Sequence, residues 1–138
     1  MELILQDAQE IYYSKDKYPL QKESFEIIGL CMEVHKILGK GLSEVVYKDA
    51  IELELKAKNI SFERERKHEV EYKGTILPHY YFADFVIGGT IILEVKAQEG
   101  VLEDHYRQVI NYLAVSKLKL GLLINFGENS LKFKRVIL

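Results

Sequence analysis

The stretch Asp84-Phe-Val-Ile-Gly-Gly-Thr-Ile-Ile-Leu-Glu-Val-Lys96 constrains the fold more than any other part of this chain. It joins two apolar runs through Gly88-Gly89, with an acid on the first run and Glu94-x-Lys96 on the second. Runs rich in Ile and Val read as buried strands, and paired glycines between them read as the turn of a hairpin. Burying Asp84, Glu94 and Lys96 without partners would cost on the order of several kcal/mol per charge. A divalent cation between the two carboxylates, with the lysine alongside, would compensate that cost.

Glu94 and Lys96 lie two apart on one strand and therefore share a face. Asp84 joins them only if the hairpin has the right parity. A strict two-residue turn at Gly88-Gly89 pairs Asp84 with Leu93, on the face opposite Glu94. A three-residue loop, either Ile87 to Gly89 or Gly88 to Thr90, puts Asp84 on the face of Glu94. The first of these, with Gly89 as the left-handed third residue, is the better match of residue to turn. The plain rival is a hairpin whose charges face water. Phe82, Val86 and Ile92 share that face if the loop is odd, and they do not suit solvent.

At 138 residues the chain is long enough for one domain with a substantial core. A net charge of −2 does not suit a generic nucleic-acid coat protein, whose footprint would be basic. It is compatible with an enzyme that meets nucleic acid at a local, acid-lined site. The single cysteine, Cys31, sits among helical apolar positions and implies core packing in a reducing setting. No apolar stretch approaches the ~20 residues of a membrane span, and Met-Glu-Leu-Ile-Leu-Gln-Asp lacks the features of a signal peptide. The expected location is cytoplasmic, with no membrane partner.

Residues 1–22 read as an N-terminal extension and 23–138 as the core domain. From Ser24, a plausible N-cap, apolar residues at Phe25, Ile28, Cys31, Met32, Val34 and Leu38 predict a helix that Gly39-Lys-Gly41 stops. Ser43 can cap a second helix reaching about Lys58, with Val46, Ala50, Leu53 and Ala57 on its apolar face. Strands are predicted from Ser61 to Tyr72, from Ile76 to Ile87 with an interruption near Pro78, and from Thr90 to Ala97. A helix from about Leu102 to Ser116 follows, then strands from Leu120 to Phe126 and Leu131 to Val136. Helix, helix, three strands, helix and two strands suit an α/β sandwich, a small central sheet with helices on both faces.

That αβββαβ order, with Asp84 and Glu94-x-Lys96, resembles the PD-(D/E)XK phosphodiesterase superfamily of restriction and repair nucleases. The stretch Gly41-Leu-Ser-Glu44-Val-Val-Tyr47 further resembles the signature of the GxxExxY protein family, a branch of it. The flanking text Val34-His-Lys-Ile-Leu-Gly-Lys-Gly and Gly121-Leu-Leu-Ile-Asn-Phe-Gly agrees, over about Ser24 to Leu138. Pro78 and Asp84 stand too far apart for the literal Pro-Asp dipeptide. The resemblance implies a restriction-endonuclease-like mixed sheet flanked by helices, and a nuclease dependent on Mg²⁺ or Mn²⁺ acting on DNA or RNA. It implies Asp84, Glu94 and Glu44 as metal ligands and Lys96 as the catalytic lysine. Gln108-Val-Ile-Asn-Tyr112 is similar to the Gln-x-x-x-Tyr element of some recombination-type nucleases in the superfamily, where it binds substrate or orients the lysine.

The residues themselves bear on these roles. Gly41, Glu44 and Tyr47 recur every three positions and share one side of a helix start. An acid in a first helical turn is also favoured by the helix dipole without any function. Tyr47 reads as a packed aromatic whose hydroxyl orients its neighbours. His105, Gln108 and Tyr112 form one helical stripe, which is either a solvated face or a substrate-facing one. Arg64, Arg66 and Lys67 read as a charged strand edge. The rival function is an inactive nuclease-fold module that binds protein or nucleic acid.

Overall fold

The computed structural model describes residues 6–7, 20–100 and 103–138. The extension assigned to residues 1–22 therefore falls largely outside the described residues.

Two helices come first: α1, Gln21–Leu38, and α2, Glu44–Ala57. The first begins before Ser24, because Leu20 in a left-handed conformation (φ 59°) takes the N-cap place. Ser24 lies inside the helix, its hydroxyl donating to the Gln21 carbonyl at 2.9 Å. Ser43 is the extended N-cap of α2 but makes no side-chain cap bond. The buried stripe of α2 is Tyr47, Ile51 and Leu55, not the expected Val46, Ala50, Leu53 and Ala57. Leu53 is 68% exposed. Periodicity marks an amphipathic helix but cannot choose between adjacent stripes; here the Tyr47 ring, stacked on Phe126 at 4.5 Å, fixes the roll.

Strands β1 (Gln6–Asp7), β2 (Phe62–Tyr72), β3 (Thr75–Ile87), β4 (Ile91–Lys96), β5 (Leu120–Asn125) and β6 (Lys132–Ile137) form one sheet in the order β1-β6-β5-β4-β3-β2. The five longer strands carry it, with Gln6–Asp7 at the edge on Lys132 and Phe133. β4 and β5 are parallel and the other neighbours antiparallel. A parallel pair needs a crossover, and α3, Glu103–Ser116, supplies it. One face packs on α1 and α2 through Phe85, Ile87, Leu93, Val95, Leu122 and Ile124. The other packs on α3 through Ala83, Val86, Ile92, Leu123 and Val136. Gly121 lets α3 come close, since a Cβ there would meet Val109 Cγ1 at 2.5 Å. The expected α/β sandwich is thus the observed one.

Strand β3 runs unbroken through Pro78, contrary to the expected interruption. Pairing slips between Glu69↔Tyr80 and Glu71↔Ile76, and Pro78 sits in that irregularity, where no ladder donor is missed. Nearer the core, Ala83 rather than Phe82 joins Val86 on the α3 side. The alternation therefore slips at Asp84, across from Glu65, whose φ is +55°. Phe82 is left 46% exposed, contrary to the expectation that it shares a buried face with Val86 and Ile92.

Candidate active site

The loop between β3 and β4 decides the site. Its register is Phe85↔Leu93, Val86↔Ile92 and Ile87↔Ile91, which leaves the three residues Gly88, Gly89 and Thr90 in the loop. The loop is odd, in the Gly88-to-Thr90 form rather than the Ile87-to-Gly89 form favoured from residue type. Two successive left-handed residues explain the choice: Gly88 has φ 60° and Gly89 φ 68°, and both glycines accept that region without a Cβ penalty.

Beyond Phe85↔Leu93 the two carboxylates take over from the backbone ladder. The Asp84 N–H donates to Glu94 Oε1 at 3.0 Å, and the Val95 N–H donates to Asp84 Oδ2 at 2.8 Å. Each acid thus satisfies a backbone donor of the other strand. Glu94 is 3% exposed. Burial, reinforced by the Asp84 carboxylate, holds its pKa well above the usual carboxylate range, against the pull of the Asp84 N–H and Lys96. Carboxylates gathered without a cation repel, which favours the neutral form of one of them.

Helix α2 brings a second pair of charges. Glu44, its first residue, lies 3.8 Å from Lys96 Nζ. Lys48, one turn on, donates to Asp84 Oδ1 at 3.2 Å and to Glu65 Oε1 at 2.7 Å. Burial alone lowers the Lys48 pKa, but Glu65 and Asp84 together hold it above its ordinary value. Sequence reasoning missed Lys48 and Glu65; the available signal was the i,i+4 spacing of Glu44 and Lys48 on one helix face. Tyr47 points the other way from chemistry. It is fully buried, donates to the Gly39 carbonyl at 2.6 Å and accepts from the Leu42 N–H at 3.2 Å. The hydroxyl thereby ties together the Gly39-to-Leu42 loop that delivers Glu44.

From the opposite face α3 presents Tyr112, which is buried and meets Tyr81 edge-on at 5.5 Å. Burial, then the charges of Glu94 and Asp84, push its phenol pKa up. Gln108 sits half-buried one turn earlier on α3. His105, on the stripe that the sequence left as either solvated or substrate-facing, is half-buried. Its pKa is lowered by burial and by Lys96, with Glu44 opposing, so it lies within the field of the same pair.

A clasp that the sequence did not disclose fixes the chain just after Lys96. Asn125, fully buried, accepts from the Gln98 and Gly127 N–H groups at 3.0 Å and donates to the Gln98 carbonyl at 2.7 Å. The Phe126 N–H donates to the Lys96 carbonyl at 2.8 Å. A Cβ on Gly127 would lie 2.3–2.5 Å from the Gln98 backbone, so only glycine fits there. The Ile-Asn-Phe-Gly text noted in the sequence is this clasp.

The charged edge Arg64, Arg66 and Lys67 pairs with acids: Asp49 at 2.7 Å, Glu63 at 2.5 Å and Glu69 at 3.6 Å respectively. Past the kink at Glu65, the β2–β3 hairpin carries exposed rings. Tyr80 is 51% exposed, meets Phe82 edge-on at 5.4 Å, and has Lys67 Nζ over its ring at 4.3 Å.

The donor chemistry fits a hard divalent cation. Asp84 and Glu94 offer adjacent carboxylate oxygens, and Mg²⁺ is commonly held by one or two carboxylates with water completing its shell. Among the described residues no three His, Cys, Asp or Glu side chains are gathered as a ready cation group. Glu44 is turned to Lys96 rather than to the Asp84–Glu94 pair.

Residues 21–136 match the family model described as the PD-(D/E)XK nuclease superfamily. Among solved structures the chain is similar to the crystal structure of SSO0001, with TM-score 0.55 and 18% identity over 94% of this chain and 72% of that one. At that identity the likeness concerns the fold. No curated protein matches significantly.

Proposed function

From the premise that this chain belongs to the PD-(D/E)XK nuclease superfamily, we propose that it hydrolyses phosphodiester bonds in nucleic acid with Mg²⁺ or Mn²⁺. Asp84 and Glu94 hold the cation in this reading, and the GxxExxY resemblance makes Glu44 a further residue of the site. The observation that carries it is the reciprocal bonding of Asp84 and Glu94 across the odd hairpin, with Lys96 on the same strand. Two carboxylates so placed, one of them buried and reluctant to ionise, have a use for a cation that a solvated hairpin would not.

The bound ion would polarise a phosphoryl oxygen and acidify a water. The chain supplies the rest. Lys96 stabilises charge developing on the phosphoryl oxygens and positions the attacking water. Glu44, by pairing with Lys96, keeps that amine aimed. Tyr112 and Gln108 line the α3 side, where substrate is positioned. The exposed rings and cation of the β2–β3 hairpin, on the strand that leads to Asp84, favour a nucleic-acid partner, because unpaired bases stack on such rings.

Asp84→Ala or Lys96→Ala is expected to remove nearly all metal-dependent cleavage while circular dichroism still reports a folded chain; Asp84→Ala should also lower the melting temperature, because it strips Lys48 and the Val95 N–H of a partner. A wild-type protein that cuts neither DNA nor RNA across several divalent metals would sink the enzyme reading. A second reading, an inactive module of the same fold, has one observation in its favour: the site's charges already compensate one another, Lys48 with Asp84 and Lys96 with Glu44. Mn²⁺ separates the two. A catalytic site gains thermal stability from Mn²⁺ and loses that gain in Glu94→Gln, whereas an inactive module ignores the metal.

A further inference from the structure

We propose that Lys48 fills the place of a second divalent cation, so that the site takes one metal ion per chain. The inference rests on the metal-dependent reading above and concerns how many ions that site accepts.

Helix α2 reaches the sheet with an acid and a base one turn apart, and each meets its opposite: Glu44 faces Lys96, and Lys48 faces Asp84. Two-metal phosphodiesterases set their ions about 3.5–4 Å apart so that both the attacking and the leaving oxygen are served. A carboxylate that bridges two ions must give one oxygen to each. In this chain the Lys48 ammonium takes Asp84 Oδ1 at 3.2 Å, and Oδ2, which accepts the Val95 N–H, keeps a second lone pair for a single ion. The same ammonium lies 2.7 Å from Glu65 Oε1. Two carboxylate oxygens around one cationic centre are the hard donors a second ion would use.

Lys48 is built into this place. Its side chain is 14% exposed and that of Asp84 13%, so the pair is sheltered from water and salt. Glu65, bracketed by the pairs Arg64↔Phe85 and Arg66↔Ala83, lies across the hairpin from Asp84. It adopts φ +55°, a left-handed conformation unusual for a residue other than glycine, and its carboxylate ends on Lys48. Removing the lysine would leave Asp84 and Glu65 as facing carboxylates with nothing between them. That arrangement recruits a cation.

Mn²⁺ titrations followed by calorimetry and electron paramagnetic resonance, on the full chain, decide the matter. Wild type and Lys48→Arg are expected to take one Mn²⁺ per chain. Lys48→Gln should take two, with the loss of resonance intensity that marks two neighbouring, exchange-coupled ions; Lys48→Ala serves the same purpose if the glutamine variant does not fold. Lys48→Gln combined with Glu65→Gln should return to one, since the surplus carboxylate is gone. Two ions in wild type, or one ion in both lysine-deleted variants, would overturn the proposal while leaving the metal-dependent reading intact. No Mn²⁺ bound by wild type would overturn both.

Discussion

Replacing Tyr47 by Phe separates a structural tyrosine from a catalytic one. The ring stays, so its stacking on Phe126 at 4.5 Å is kept and no cavity opens. The hydroxyl goes, and with it the bond donated to the Gly39 carbonyl at 2.6 Å and the bond accepted from the Leu42 N–H at 3.2 Å. Each net hydrogen bond contributes about 1 kcal/mol, and a polar group left dry costs about 1–3 kcal/mol. Leu42 is 40% exposed, so its N–H regains water and that loss stays at the low end. Gly39 is half-buried, and its carbonyl bears most of the penalty. The sum is a destabilisation of about 1–3 kcal/mol. With a urea m-value of ~1–3 kcal/mol/M, the unfolding midpoint should fall by roughly 0.3–3 M at unchanged m. Cleavage per folded molecule should fall less than about tenfold, an effect of a looser Glu44 worth at most ~1.4 kcal/mol, while Lys96→Ala abolishes it. An unchanged midpoint with cleavage lost would refute this reasoning and place the Tyr47 hydroxyl in the chemistry.

Three further outcomes follow from the geometry. Because the folded-state pKa of Glu94 is raised above its ordinary value of 4.5, the metal-free fold holds a proton that the unfolded chain releases. That stability is fully present below about pH 4.5 and declines as pH rises through the raised pKa. Glu94→Gln should flatten the decline in urea titrations from pH 5 to 9, and a decline as steep as wild type would contradict the buried-acid picture. Gly127→Ala, whose Cβ would meet the Gln98 backbone at 2.3–2.5 Å, should cost about 1–3 kcal/mol or more and lower cleavage through the Lys96 strand end; an unchanged melting temperature would show that the clasp can give. Tyr80→Ala and Phe82→Ala, both at exposed positions, should leave stability within about 0.5 kcal/mol. Each should weaken binding of a single-stranded oligonucleotide by roughly 5- to 150-fold in fluorescence anisotropy, the equivalent of ~1–3 kcal/mol of stacking; equal affinity would remove the hairpin from the substrate path.

Much of this protein was legible in its sequence because the signals are local. A period of two puts Glu94 and Lys96 on one face whatever surrounds them. Helix and strand order followed from apolar spacing and glycine stops, and the match over residues 21–136 agrees with the superfamily that order suggested. Tertiary structure decided what periodicity leaves free. Three loop residues rather than two, with Gly88 and Gly89 both left-handed, brought Asp84 beside Glu94. The roll of α2 was set by Tyr47 finding Phe126, which no count along the helix foretells. Lys48, Glu65 and Asn125 meet their partners across separations of 17 to 36 residues, and each looks like ordinary solvated or loop chemistry until the chain folds back on itself. Local backbone geometry is written in neighbouring residues. Which charge meets which is fixed only when distant segments are packed against one another and water is excluded between them.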